Sequence, residues 1–235
     1  MKKITFPMLA VVLLTSVWSI RADTQTEIKQ AIKKLEGRPN YSWIATPKSD
    51  EGTTPAQRQG PIEGKTERKG FTYFRFVLGE DTVEAAFKGA KSAIRSEGVW
   101  ESESEMIGQR AWIARRLKAF KPLADEAEEL LEKTRALKKE GANLYSGDLD
   151  PEAVKEMLLL RSREGGQNRE TAGAKGSVRF WIQNGVLAKY EFNLRGRLVS
   201  PTQQTFDINR TTTVEIKDVG STRVEIPDQA KKKLR

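Results

Sequence analysis

The chain has 235 residues, a formal net charge of +9, and neither cysteine nor histidine. Without cysteine there is no disulfide framework, no thiol for acylation and no thiolate chemistry. Without histidine, every Ser-His-Asp arrangement and the commonest zinc ligand are excluded. No Gly-x-Ser-x-Gly, P-loop or dinucleotide-binding motif occurs either. We therefore expect a fold held by core burial, with no enzymatic activity, no cofactor and no metal.

The N-terminus is typical of a secretory signal peptide. Two lysines precede an apolar run that ends at Ile20, and Ala22 completes a plausible cleavage site. An uncleaved membrane anchor is the alternative, which Pro7 and the short run disfavour. We predict a signal peptide over residues 1–22 and a single exported domain, periplasmic or secreted, over 23–235.

Cleavage would lower the net charge to +6. A mildly basic balance suits an anionic lipid headgroup or an envelope surface, but interspersed acidic residues make it no nucleic-acid footprint. No later segment is long and apolar enough to span a bilayer. We therefore expect no nucleic acid partner and no membrane span in the exported chain.

The first predicted element is an amphipathic helix from Thr24 to Leu35, ended by Gly37. Alternating residues then predict a strand over 41–46 that Pro47 ends, followed by a loop to Gly60. Further strands predict a meander over residues 62–68, 71–78 and 82–87, continuing weakly over 91–100.

The middle of the chain has helical periodicity. Ile113, Leu117 and Phe120 form one apolar stripe, and a second stripe extends from Leu123 to Leu137, with a helix end at Gly141. A third helix is predicted from Asp150-Pro151, an N-cap followed by proline at the first helical position, to Gly165-Gly166.

The segment from Val178 to Leu194 predicts a hairpin, because Asn184-Gly185 suits a type I′ turn. A regular register pairs Trp181 with Ala188 and Phe180 with Lys189. Trp181, Tyr190 and Phe192 then share the drier face, while Val178, Phe180, Ile182 and Leu187 load the other. The sequence therefore predicts that helices, another sheet or a ligand cover part of the second face.

Two last strands are predicted over 205–217 and 222–226, joined by a turn at "DVGST". Strands grouped into meanders, without regular βαβ alternation, predict an α+β fold with helices packed on one side of a single antiparallel sheet.

Carboxylates offer the remaining chemistry. Glu101, Glu103 and Glu105 would share one face of a strand and could bind a cation or act as an acid and base pair. A charged strand edge is the favoured interpretation. An arginine cluster, Arg110, Arg115 and Arg116, could grip a phosphate, although a solvated helix face is favoured.

Aromatic residues are the candidate lining of an apolar cavity, with an ordinary core as the equally weighted alternative. The predicted ligand-binding residues are Trp43, Phe74, Phe76, Trp112, Trp181, Tyr190 and Phe192, and Trp100 is a further candidate.

The order of elements, with "FWIQNGVLAKYEFNL" and "IKDVGSTRVEIPDQA" near the end, resembles the LolA-like lipoprotein-carrier and lipid-binding lipoprotein superfamily. The likeness is carried by the Trp-containing hairpin and by Asp218, Gly220, Val224, Ile226 and Pro227. It implies a curved antiparallel sheet, an incomplete β-barrel, with helices on its concave side enclosing a cavity for acyl chains.

We thus expect an exported, non-enzymatic protein that binds a lipid or other hydrophobic ligand in the cavity between sheet and helices, with an envelope carrier as the role considered. The alternative is a periplasmic interaction or sensor module with a packed core and an envelope protein partner. An acid/base hydrolase built on the three glutamates is the least favoured hypothesis.

Overall fold

The structure is a computed structural model that describes residues 16–49, 60–78, 80–108, 110–118, 120–160, 170–199 and 203–235. The helices are α1 (Ser16–Glu36), α2 (Arg110–Lys118), α3 (Leu123–Glu132), α4 (Pro151–Leu160) and α5 (Asp228–Lys233). The strands are β1 (Asn40–Ser49), β2 (Ile62–Glu67), β3 (Thr72–Leu78), β4 (Asp81–Lys88), β5 (Lys91–Ser96), β6 (Val99–Ser102), β7 (Thr134–Lys139), β8 (Leu144–Leu149), β9 (Glu170–Gln183), β10 (Val186–Val199) and β11 (Thr205–Lys217).

All eleven strands form one antiparallel sheet in the order β6-β5-β4-β3-β2-β1-β11-β10-β9-β8-β7. Two meanders meet where β1 pairs with β11, with Trp43 opposite Ile216. The sheet is open and curved, with β6 and β7 as its edges among the described strands. The predicted α+β class, with a curved antiparallel sheet, is confirmed.

The first half of the chain largely follows the prediction. Helix α1 ends at Glu36, just before Gly37 as expected, but it begins at Ser16, so the predicted start at Thr24 is wrong. Strand β1 continues past Pro47 to Ser49. Among the described strand pairs, Pro47 follows the last one with β2, and proline is tolerated where one side of a strand is unpaired.

The hairpin of β9 and β10 has a different register from the predicted one. A β-bulge at Ala188 places Lys189 opposite Trp181 and Tyr190 opposite Phe180. One extra residue reverses the side-chain alternation beyond it. Tyr190 and Phe192 therefore lie on the same face as Val178, Phe180 and Ile182, Trp181 lies on the other face, and the predicted pairing of Trp181 with Ala188 is wrong.

The predicted long helix after Pro122 is also wrong in its second half. Helix α3 ends at Glu132, and β7 follows, paired with β8. The Thr134 hydroxyl donates to the Leu130 carbonyl at 2.6 Å, and Ala136 has a φ of +50°, which a helix cannot contain. The pairing of β7 with β8 thus overrides the helical periodicity.

Helix α4 begins where the sequence predicts. The Asp150 carboxylate accepts hydrogen bonds from the backbone N–H groups of Glu152 and Ala153 at 2.9 and 3.4 Å, as an N-cap does. The predicted end at Gly165-Gly166 lies outside the described residues.

Apolar residues of α1 to α4 pack on one face of the sheet, here called the inner face, which carries the main core. Ile28, Ile32 and Leu35 of α1 are fully buried there. Leu158 of α4 lies against Gly196, where an added Cβ would be 2.7 Å from its Cδ1 atom. Helices therefore cover the inner face, as predicted.

The opposite, outer face carries ion pairs such as Arg75–Glu63 and Arg95–Glu84 and is apolar at one corner. There, Ala86, Ala93 and Trp100 are covered by Ile226, Ala230 and Leu234. The segment over 222–226 lies outside the sheet, so the predicted last strand is wrong, although the turn before it is confirmed by positive φ at Asp218 and Gly220. This covering segment of residues 222–235 is called the C-terminal segment below.

Candidate functional site

A cluster of aromatic rings lies on the inner face across β1, β3 and β4. Trp43 and Phe74 are 2% and 1% exposed, with ring centroids 5.8 Å apart. Phe87 stacks on Phe74 at 5.5 Å, and Phe76 lies 6.3 Å from Phe74. These residues share a face because Gly64 pairs with both Trp43 and Phe74, and Phe74 pairs with Ala85.

Phe120 covers this cluster. It lies in the short connection between α2 and α3, and its ring centroid is 4.8 Å from that of Phe74, 5.4 Å from that of Phe87 and 5.9 Å from that of Trp43. Its side chain is only partly buried. Among the described side chains, Phe120 thus contacts three rings of the cluster from the connection that joins α2 to α3.

The second group of aromatic residues lies further along the inner face, beneath α1 and α3. Tyr190 and Phe192 are 0% and 1% exposed, and the Tyr190 hydroxyl donates to the Glu126 carboxylate of α3 at 2.6 Å. Lys29 of α1 binds Glu128 of α3 at 2.8 Å. Polar contacts at the rim therefore fix both helices over an apolar floor.

The predicted site residues fall into three groups. Five lie buried on the inner face: Trp43, Phe74, Phe76, Tyr190 and Phe192. Trp181 lies on the outer face, where the Lys189 ammonium sits 4.6 Å from its ring centroid. Trp112 belongs to α2, and its side chain lies outside the described ones. The structure therefore does not bring Trp181 to the five buried positions.

Sequence reasoning missed two members of the aromatic cluster. By alternation, Phe87 lies on the same face of β4 as Val83 and Ala85. Because this strand was predicted, its alternation could have indicated that Phe87 faces the core. Phe120 was assigned to a helical stripe, whereas it follows α2 and reaches the sheet from a connection. No local pattern indicates that contact.

The three alternating glutamates do not form a site. Only Glu101 lies in a strand, and it binds Arg110 at 2.7 Å, while Glu103–Glu105 form a 3-10 turn. Glu105 binds Lys233 at 2.6 Å and accepts from the Ser102 backbone N–H, and these contacts lower its pKa to about 2. The expectation of one shared strand face is wrong, because the chain leaves the sheet after Ser102.

The described side chains likewise do not form the predicted phosphate-binding arginine cluster. Arg110 is engaged with Glu101, and the side chains of Arg115 and Arg116 lie outside the described ones.

Other site types have limited support. No group of three acidic side chains within the described ranges is arranged to hold a metal ion. An open depression of about 400 Å³ near Gly173 is lined by Arg195, Arg197 and Asp207 together with Ala172 and Ile208. It lies apart from the aromatic cluster and contains none of the predicted ligand-binding residues.

Among the helices that the structure describes, none is both long and apolar enough to cross a membrane.

Comparisons with known proteins give matches only among solved structures. No protein-family model and no curated protein matches the chain. The chain is similar to the lipoprotein LppX of Mycobacterium tuberculosis, with a TM-score of 0.47 and 8% identity over 88% of this chain and 99% of LppX. It is also similar to LprF of Mycobacterium bovis, with a TM-score of 0.46 and 12% identity over 89% of this chain and 98% of LprF.

Proposed function

We propose that this is an exported, non-enzymatic protein that holds a lipid or another hydrophobic ligand between its sheet and its helices. The observation that carries the proposal is the aromatic cluster of Trp43, Phe74 and Phe87, which the partly buried Phe120 contacts from the connection between α2 and α3. The predicted signal peptide and the resemblance of the last strands to LolA-like proteins add support.

Displacement of the Phe120 side chain by a ligand would cost little free energy. Burial of one phenylalanine side chain contributes about 1.5–3 kcal/mol. Because Phe120 is already partly exposed, its displacement loses less than that, together with one backbone hydrogen bond to Leu117 at 3.0 Å. An acyl chain that covers the same rings would restore the apolar contact.

The first experiment is native mass spectrometry of the purified protein, followed by extraction with organic solvent. A reproducible stoichiometric adduct that extracts as lipid would support the proposal and identify the ligand class. The same spectrum reads the N-terminus, so it also tests cleavage after Ala22.

A matched pair of variants locates the site. Phe120→Asp should lower the affinity for a dansyl-labelled long-chain fatty acid at least tenfold, because a carboxylate would face the aromatic rings. Phe206→Asp is the control, since Phe206 is 45% exposed on β11. Equal affinities in both variants, with unchanged thermal unfolding, would place the ligand elsewhere or remove it altogether.

One observation favours the alternative, an envelope interaction or sensor module. The rings touch one another at centroid distances of 4.8–5.9 Å, as in a packed core. A bare mass that stays unchanged after incubation with lipids, together with a protein partner retained from envelope extracts, would favour this second function.

A further inference from the structure

Basic side chains gather at one end of the first meander. This basic end consists of the β2–β3 turn, the residues that flank the β4–β5 turn, and the last residues of the C-terminal segment. Its exposed basic residues are Arg68, Lys69, Lys88, Lys91, Lys231, Lys232 and Arg235.

The sheet register brings these segments together. Thr72 pairs with Phe87 and Lys88 pairs with Lys91, so both turns lie at the same end of adjacent strands. Lys88 lies 5.4 Å above the Phe71 ring. Phe71 packs against the cluster that contains Leu234, which holds the end of the C-terminal segment beside the turns.

The positive charge of this end is only partly compensated. Lys233 is paired with Glu105 at 2.6 Å, and Lys231 with Asp228 at 3.0 Å. Within the described ranges, no ion pair engages Lys69, Lys91 or Lys232, and Arg68 reaches only a backbone carbonyl, that of Gly37, at 3.4 Å. Glu67 is an exposed carboxylate of the same end.

We infer that the basic end docks on an anionic lipid bilayer. The cations come from three separate segments and are mostly lysines, which are point charges on flexible stems and suit a fluid surface where lipids move to meet them. A single nucleic acid strand would instead require exposed aromatic rings for stacking, whereas Phe71 lies beneath Lys88. Docking holds whether or not the chain carries an apolar ligand.

Screening by salt limits the interaction to the side chains that face the bilayer. At physiological ionic strength the Debye length is about 8 Å, so only side chains close to the lipid surface contribute. The basic residues elsewhere in the sheet, such as Lys48 and Lys175, would then add little. If the basic end docks, removing its lysines should weaken binding more than removing lysines elsewhere, whereas an effect of net charge alone would be the same for both.

The test is vesicle flotation of the purified protein, used with whatever N-terminus it has after processing in the cell. Vesicles contain phosphatidylcholine alone, or phosphatidylcholine and phosphatidylglycerol in a two-to-one ratio. The variant K69Q/K91Q/K232Q is compared with K48Q/K155Q/K175Q, which removes the same charge from exposed lysines away from the basic end. All three proteins share one N-terminus, so its contribution cancels.

We expect the unmodified protein to bind only the anionic vesicles and to dissociate with added salt. The basic-end variant should bind on the order of a hundredfold more weakly, the amount expected for three lysines at such a surface, while the control variant binds nearly as the unmodified protein does. An equal loss in both variants would overturn the inference. So would absence of binding by the unmodified protein, or duplex DNA binding that the basic-end variant abolishes while vesicle binding persists.

Discussion

At the scale of single residues, the packing of Trp43 depends on a glycine on the neighbouring strand. A Cβ atom at Gly64 would lie 2.2 Å from the indole Cε2 and Cζ2 atoms. The indole Nε1 donates to the Thr66 hydroxyl at 3.2 Å, which fixes the ring over Gly64. The ring cannot move away without losing its contacts with Phe74 and Phe120.

Gly64→Ala should therefore lower the free energy of unfolding by about 1–3 kcal/mol, the usual cost of overpacking. Urea unfolding measures the change. Gly141→Ala is the matched control, because nothing lies within 4 Å of a Cβ at that position. Similar unfolding curves for the two variants would mean that the Trp43 ring is not held where the structure places it.

At the scale of elements, the bulge at Ala188 decides which side chains enter the core. With the bulge, Tyr190 and Phe192 join Phe180 and Val178 on the inner face. If Ala188 instead paired regularly with Trp181, the alternation would place Tyr190 and Phe192 on the same face as Trp181. Register in a strand with one buried face is strongly specified, since a slip of one residue turns every side chain over.

Deletion of Ala188 should consequently be better tolerated than deletion of Glu191. The first deletion leaves Lys189 opposite Trp181 and keeps Tyr190 inside, whereas the second makes Tyr190 and Phe192 consecutive, forces one of them outward and costs at least about 2 kcal/mol of burial. Thermal unfolding of both variants compares them. Greater destabilisation by loss of Ala188 would contradict this account of the bulge.

The elements that the sequence predicts well are those with local signals. Strands β2 to β4 and β11 follow from alternation and turn residues, and α4 follows from its Asp150-Pro151 start. The conversion of α3 into β7 could not be predicted, because Thr134 and Leu137 fit the helical stripe and only pairing with β8 decides otherwise. The hairpin register was missed because no residue type marks the bulge at Ala188.

The sequence predicts those residues of the candidate site that strand alternation places on the buried face. Trp43, Phe74 and Phe76 follow from that pattern. Phe120 reaches them through a tertiary contact between a connection and a sheet, which periodicity does not contain. Trp181 was misplaced together with the register.

At the scale of the whole molecule, the C-terminal segment links distant parts of the chain. Glu105 and Lys233 are 128 residues apart and form a hydrogen bond of 2.6 Å. This bond, with hydrogen bonds from the Ser102 backbone and hydroxyl groups, lowers the Glu105 pKa from 4.5 to about 2. A carboxyl whose pKa is lowered by folding stabilises the folded chain at any pH above its pKa in the unfolded chain. That stabilisation is lost as the pH falls from the unfolded pKa through the folded pKa.

Attachment of the C-terminal segment should therefore weaken as the pH falls from about 4.5 to about 2. The Ala230 methyl resonance, followed by NMR, reports on it, because Ala230 is fully buried against the sheet. In Glu105→Gln the same resonance should already be shifted at neutral pH and should change less with acid. Identical titrations in both proteins would show that Glu105 does not hold the segment.

The pairing of β1 with β11 has a consequence for the order of folding. Helix α1 comes first along the chain, yet its apolar residues rest on the floor that includes Tyr190 and Phe192 of β10, and β1 needs β11 beside it. Closing loops of such length is slow compared with forming hairpins. During synthesis, the apolar side of the first helix therefore stays exposed until β10 and β11, near the end of the chain, have emerged.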